Sequence, residues 1–214
     1  MVFLSRRDRR VYLDLLRMNA SLANVRILAY CLMPNHIHLV AVPEEPEGLA
    51  VALRRTHGRY AQYFNARKSR SGHLWQNRFY SCAMDGAHLW TAVRYVERNP
   101  VRAGLVERPE EFVWSSAAAH VGEVDRSRIL DEDFWREAGG AELWRDLLAG
   151  PEDDMEMKRI RKATHSGQPL GDEEFRRQIE QLSVALDQGE HEISEGDAGG
   201  RGKSRCRALQ ATGA

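Results

Sequence analysis

Two short segments of the chain carry side chains whose types and spacing suit chemistry. In the first, His36-Ile37-His38 opens a stretch rich in strand formers, residues 37–42. Side chains alternate along a strand, so both imidazoles face one side and Ile37 the other, toward a core. Two histidines on one strand face can bite a single divalent ion, and histidine is the commonest protein metal ligand. The pair also fits two half-exposed polar positions. In the second segment, Leu89, Ala92, Val93 and Val96 mark the apolar stripe of a helix. Tyr95 and Asn99, one helical turn apart, stack on the shoulder of that stripe, neither buried nor free. The Asn99 carbonyl is a candidate third ligand beside a tyrosine hydroxyl. Tyrosine ionises at roughly pH 10, so as a nucleophile it needs a nearby cation or base. A boundary tyrosine followed by a capping asparagine before Pro100 is the alternative.

The elements that must position these residues are legible in outline. Residues 9–18 read as an amphipathic helix, and residues 25–32 and 37–42 as strands joined by a turn at Met33-Pro34-Asn35, giving a β-hairpin. Residues 47–66 read as a second helix despite Gly58, KSRSGH as a loop, and LWQNRFYSCAM as an aromatic strand. Asp85 is an N-cap for a helix running through Arg98, which Pro100 should stop. Beyond Val106 come acidic, Trp-containing helical segments over residues 131–149 and 172–186. From Gly189 onward the chain is Gly, Ser and charge, and should be disordered. Strands interspersed with helices indicate an α+β domain over roughly the first 120 residues.

The chain has 214 residues, with 31 Lys+Arg balanced by 31 Asp+Glu. No apolar run approaches the roughly 18 residues of a membrane span, and the start lacks the apolar core of a signal peptide. No membrane partner and a cytoplasmic location are therefore expected. Cys31, Cys82 and Cys206 lack CxxC spacing, against a disulfide framework or a thiolate zinc cluster. The neutrality is a cancellation. Residues 48–106 carry ten basic and two acidic groups, whereas residues 107–156 carry five basic and fifteen acidic ones. Between Gly48 and Met84 there is no acid, and Arg54, Arg55, Arg59, Arg67, Lys68, Arg70 and Arg78 alternate with Tyr60, Tyr63, Phe64, Trp75, Phe79 and Tyr80. Cations neutralise phosphates and flat rings stack on unpaired bases, a mixture suited to single-stranded nucleic acid. A solvated helix face beside core aromatics has the same composition.

MPNHIHLV, SGHLWQNRF, RYVERNPVRAGLV and FVWSS, in that order, resemble the single-tyrosine HUH transposases (His-hydrophobic-His), and among them the REP-associated tyrosine transposases. The resemblance covers about residues 9–120, and IRKATHSGQPLGDEEF resembles an extension that some members carry. It implies a ferredoxin-like antiparallel sheet with packed helices in a nuclease domain over residues 1–120, a helical extension over 121–188 and a tail over 189–214. It implies Mg2+ or Mn2+ held by His36, His38 and Asn99, with Tyr95 as nucleophile. It also implies cleavage of single-stranded DNA near small hairpins through a 5′-phosphotyrosine, and rejoining through the freed 3′-OH. Tyr60, Tyr63 and Tyr80 rank below Tyr95 because no polar ligand candidate follows them beside the His pair.

Arg54, Arg55, Arg59, Arg67, Lys68 and Arg78 would then meet the DNA backbone, and Trp75 and Tyr80 are candidates to stack on bases, each with a structural role as the alternative. One departure stands out. The family's first strand precedes the helix, and Met1–Leu4 is too short to supply it, so the start codon is misassigned, the strand is lost or the fold is completed another way. A missing central strand would expose sheet edge and displace the site. A catalytically impaired remnant that binds single-stranded or hairpin DNA without cutting it is the competing function. A metal-dependent hydrolase with no DNA role is a third. Monomer and homodimer both stay open, as does restraint of the site by the acidic segment mimicking DNA.

Overall fold

The computed structural model describes residues 1–76, 79–137, 140–189 and 207–212. In chain order its elements are α1 (Arg6–Leu22), β1 (Val25–Leu32), β2 (His36–Pro43), α2 (Gly48–Lys68), β3 (Tyr80–Ala83), α3 (Gly86–Glu97), α4 (Asn99–Arg102), α5 (Ala117–His120), α6 (Glu132–Glu137), α7 (Ala141–Ala149), α8 (Asp154–Ser166), α9 (Glu173–Gly189) and β4 (Arg207–Thr212). The architecture is α+β, as expected. Among the described residues no helix is long and apolar enough to cross a membrane.

Helix α1 starts where Ser5 accepts from the Asp8 amide at 3.2 Å while Asp8 accepts from the Leu4 amide at 2.9 Å, two orphan donors satisfied reciprocally. The hairpin forms at Met33-Pro34-Asn35, with Leu32 opposite Ile37 and Tyr30 opposite Leu39. A bulge between Ile27 and Ala29 puts Leu28 and Ala29 into the cluster on the sheet's other face. Alternation along β2 then sorts the core. Ile37, Leu39 and Ala41 bury against α1 and α2, whereas Val40 and Val42 bury with α3. His38 lies on the α3 face.

The sheet order is β1-β2-β4-β3, antiparallel throughout. Within the tail expected to be disordered, residues 207–212 supply an inner strand, with His38 opposite Gln210 on one side and Cys82 opposite Ala208 on the other, and residues 190–206 and 213–214 lie outside the described residues. Backbone pairing explains the difference. Without β4, β2 and β3 would each present an inward row of unpaired amides and carbonyls, and a short segment able to satisfy both rows is ordered by them. Met1–Leu4 is not a strand. The Val2 and Phe3 amides both donate to Pro34 O, at 3.0 and 3.2 Å, and Phe3 packs between Tyr12 and Tyr60. The fold is thus completed another way, from the C-terminal side.

Helix α3 ends at Glu97 with Arg98 as its C-cap, within a residue of the expected end, and Pro100 sits in the first turn of the separate α4, where its missing amide is not needed. The Arg98 amide bonds Arg94 O and the Arg102 amide bonds Arg98 O, each at 3.0 Å. Two further expectations change. The aromatic strand shrinks to Tyr80–Ala83, because Leu74 and Trp75 turn into the α1/α2 cluster. The expected helix over 131–149 is two helices, with Gly140 at φ +97° ahead of α7. Helix α8, capped by Asp153 and ended by Gly167 at φ +71°, went unread. Trp144, Leu148, Met157, Ile160, Ala163 and Leu170 bring this C-terminal region into the same buried cluster as α3.

Candidate active site

Strand β2 places both imidazoles on one face, and their Nε2 atoms lie 2.9 Å apart with the rings at 86°. His38 is 3 % exposed and His36 half-buried. Asn35 Oδ1 lies 2.8 Å from His36 Nδ1. An amide oxygen only accepts, so His36 carries its proton on Nδ1 and turns an Nε2 lone pair inward. Burial pushes both imidazole pKa values below the ordinary histidine range, His38 furthest. Around His38, His36, Arg102 and Arg161 add to that shift, and a hydrogen bond with Asn99 opposes it. Neutral imidazoles are what a metal site requires.

The donor set fits a divalent ion. The two Nε2 atoms are within hydrogen-bond distance of each other, close enough for one small cation to replace the shared proton. Among the described residues no group of three His, Cys, Asp or Glu forms. Asn99 lies near enough to His38 to raise its pKa against the effect of burial, and its Nδ2 donates to Tyr95 O at 3.3 Å.

Helix α3 begins at Asp85, which accepts from the His88 amide at 2.9 Å, and carries Tyr95 to the His pair. The Tyr95 ring meets His38 edge-on, with centroids 5.7 Å apart and planes at 89°. Tyr95 is 8 % exposed, more buried than its place on the shoulder of the stripe implied. The reason is Arg102, whose guanidinium carbon lies 4.3 Å from the ring centroid and whose Nη2 donates to Tyr95 O. Arg102 is held in turn by Glu152 at 2.6 Å.

Sequence reasoning missed Asn35, Arg102 and Glu152. Arg102 stands seven residues after Tyr95, past the end of α3 in the separate turn α4, so the stripe of α3 gave no signal for it. Glu152 has no local signal, because it arrives from beyond α7.

The remaining candidates scatter. Arg54, Arg55, Arg59 and Lys68 are exposed on α2, in the layer across the sheet from His38. Arg67 pairs with Asp8 and bonds Ser5 Oγ at 3.1 Å. Trp75 stacks on His57 at 4.3 Å and donates to His57 O, and burial pulls the His57 pKa down to about 4. Tyr80 is half-buried, edge-on to His165. Arg78 lies outside the described residues. Tyr60 donates to Val2 O and Tyr63 to Asp8, both in the α1/α2 layer and away from the His pair.

The arginines of α3 and α4 meet the C-terminal region. Arg94 donates to Leu147 O, Gly150 O and Pro151 O, and Arg98 to Leu148 O. Two arginines thus cap the carbonyl end of α7, where cations are favoured. Glu97, fully buried on α3, accepts from Ser116 Oγ, His120 Nδ1 and, at 2.8 Å, Trp144 Nε1.

No curated protein and no solved structure matches the chain. Residues 2–99, the stretch that carries His36, His38, Tyr95 and Asn99, match the family model described as Transposase IS200 like.

Proposed function

We propose that the chain is a strand transferase that cleaves and rejoins single-stranded DNA near hairpins, with Tyr95 as nucleophile. The observation that carries this reading is the Tyr95 ring standing edge-on to His38, whose Nε2 lies 2.9 Å from His36 Nε2. The Tyr95 oxygen attacks the scissile phosphorus, a tyrosine–phosphate bond forms, the bond to the 3′-oxygen breaks, and the tyrosine proton ends on the freed 3′-OH. The ester keeps the phosphodiester energy, so the reverse attack rejoins strands without ATP. His36, His38 and Asn99 would hold Mg2+ or Mn2+, which supplies positive charge at the phosphate and the leaving oxygen. Arg102 and the main chain of α3 hold the phenol in place, and burial of the site keeps competing water away from the phosphate. The transposase family match favours DNA as the substrate.

The test is a pool of hairpin oligonucleotides with randomised single-stranded flanks, incubated with the full chain and Mn2+ and run on a denaturing gel. An adduct that survives denaturation and vanishes in Tyr95→Phe is expected. A tyrosine-independent cleavage product, or no adduct with any pool member, would refute it.

The 8 % exposure of Tyr95 favours a second reading, in which the chain binds single-stranded or hairpin DNA without cutting it. That reading expects salt-sensitive binding, with a slope of roughly −0.7 per phosphate neutralised, unchanged by Tyr95→Phe.

A further inference from the structure

We propose that Glu152 is a positioning residue for Tyr95, acting through Arg102, so that docking of the C-terminal region sets the geometry of the nucleophile. The proposal rests on Tyr95 being the nucleophile. Glu152 is only 12 % exposed at its side chain and Arg102 16 %. One Glu152 oxygen lies 2.6 Å from Arg102 Nη1 and the other 3.3 Å from Arg98 Nε, so the carboxylate spans both arginines. Arg102 has its second arm on Tyr95 O and its face over the Tyr95 ring. With Nη1 fixed by Glu152 and Nη2 by the main chain, the guanidinium cannot rotate away from the ring.

Without Glu152, a mostly buried guanidinium loses its counter-charge, and its cheapest response is to swing toward water. The Tyr95 ring then loses the cation covering it, and the phenol gains freedom at the His pair. Glu152 is itself brought into place from outside the nuclease segment. It follows α7 directly, and Arg94 and Arg98 hold the carbonyl end of that helix, while Thr91 Oγ1 donates to Glu156 Oε1 at 2.9 Å. The acidic segment therefore reaches Tyr95 through Glu152 and Arg102, and that contact supports Tyr95 instead of competing with DNA for α2.

The test is a double-mutant cycle of Glu152→Gln and Arg102→Lys in the full chain, with each variant checked for Mn2+ binding and thermal stability. Misplacement of a reacting group by about 1 Å is worth up to roughly a hundredfold, so single-turnover adduct formation should fall about ten- to a hundredfold in each single variant. Oligonucleotide affinity and Mn2+ affinity should hold. The double variant should be no slower than the slower single one, because both act through one contact, and Glu152→Asp should recover part of the rate. A second readout needs no catalysis: in chain labelled with 13C-tyrosine, the resonance assigned to Tyr95 by its loss in Tyr95→Phe should move in both single variants. Additive effects on rate, or a Tyr95 resonance that stays put in Glu152→Gln, would overturn the proposal. A moving resonance in a chain that never forms an adduct would sustain the contact while removing the nucleophile.

Discussion

Replacing Asn35 with alanine probes the metal reading from outside the ligand set. Asn35 Oδ1 is 2.8 Å from His36 Nδ1 and is the contact that keeps the His36 proton on Nδ1. In Asn35→Ala the imidazole is free to adopt the other tautomer, which would aim an N–H at His38 Nε2, now 2.9 Å from a lone pair. Partners that orient a ligating histidine are typically worth ten- to a hundredfold in metal affinity. Asn35 is exposed, so water competes for the Nδ1 proton and the lower end applies. The expected loss is about tenfold, or about 1.4 kcal/mol. Asn35→Asp should act in the opposite sense, since a carboxylate accepts the same proton more strongly and makes Nε2 a better donor. Titration of the full chain with Mn2+, followed by electron paramagnetic resonance near neutral pH, reads both. Unchanged Mn2+ affinity in Asn35→Ala, or Asn35→Asp binding no more tightly than Asn35→Ala, would refute the assignment of His36 Nε2 as a ligand. Loss of the signal in His36→Ala and His38→Ala anchors the comparison.

Trp144→Phe should lower stability by about 2–3 kcal/mol in chemical denaturation, because it strips the donor from a fully buried Glu97 oxygen; a drop under about 0.5 kcal/mol would mean the carboxyl reaches water. Leu209→Pro should remove amide-exchange protection from both β2 and β3, since β4 pairs with each of them and a central proline breaks such a ladder; protection retained in β2 and β3 would show that β4 is dispensable to the sheet. Replacing Arg54, Arg55 and Arg59 together with Gln should weaken single-stranded DNA binding and flatten its salt dependence by up to roughly two units, at about 0.7 for each phosphate left without its cation; an unchanged salt slope would assign these exposed residues to solvent alone.

The candidate site was legible because it is written in local periodicities. A two-residue repeat puts His36 and His38 together on one strand, and a four-residue step puts Tyr95 and Asn99 together on one helix, whatever the rest of the chain does. The meeting of those two surfaces is not local, and only the ordered motifs of the resemblance anticipated it. What escaped was set by distant partners. RALQAT has little to bury and reads as tail, yet two waiting strand edges order it as β4. Arg102 was hidden because it lies past the end of α3, in the separate turn α4. Trp144 read as one more aromatic in an acidic segment, because its partner, Glu97, lies far away in sequence on α3.

The charge pattern carries the same lesson with a functional edge. By count, Arg94, Arg98 and Arg102 belong to the basic block that suggested DNA, but the structure commits them to the carbonyl end of α7 and to Glu152. Exposed cations lie on α8, with Lys158, Arg159, Arg161 and Lys162, and also on the α1/α2 layer, with Arg54, Arg55 and Arg59 along α2, Lys68 at its end and Arg6, Arg7 and Arg10 at the start of α1. Those two ends adjoin, since Arg67 reaches both Asp8 and Ser5. The start of α1 in turn adjoins the hairpin turn, since Val2 and Phe3 bond Pro34 O, and the turn leads directly into His36. On the proposed function, a DNA strand held by α2 need not cross the sheet to reach Tyr95. It can follow exposed cations to the end of α2, pass the first turn of α1 and enter the site around Pro34 and Asn35, at the end of the sheet where β2 begins.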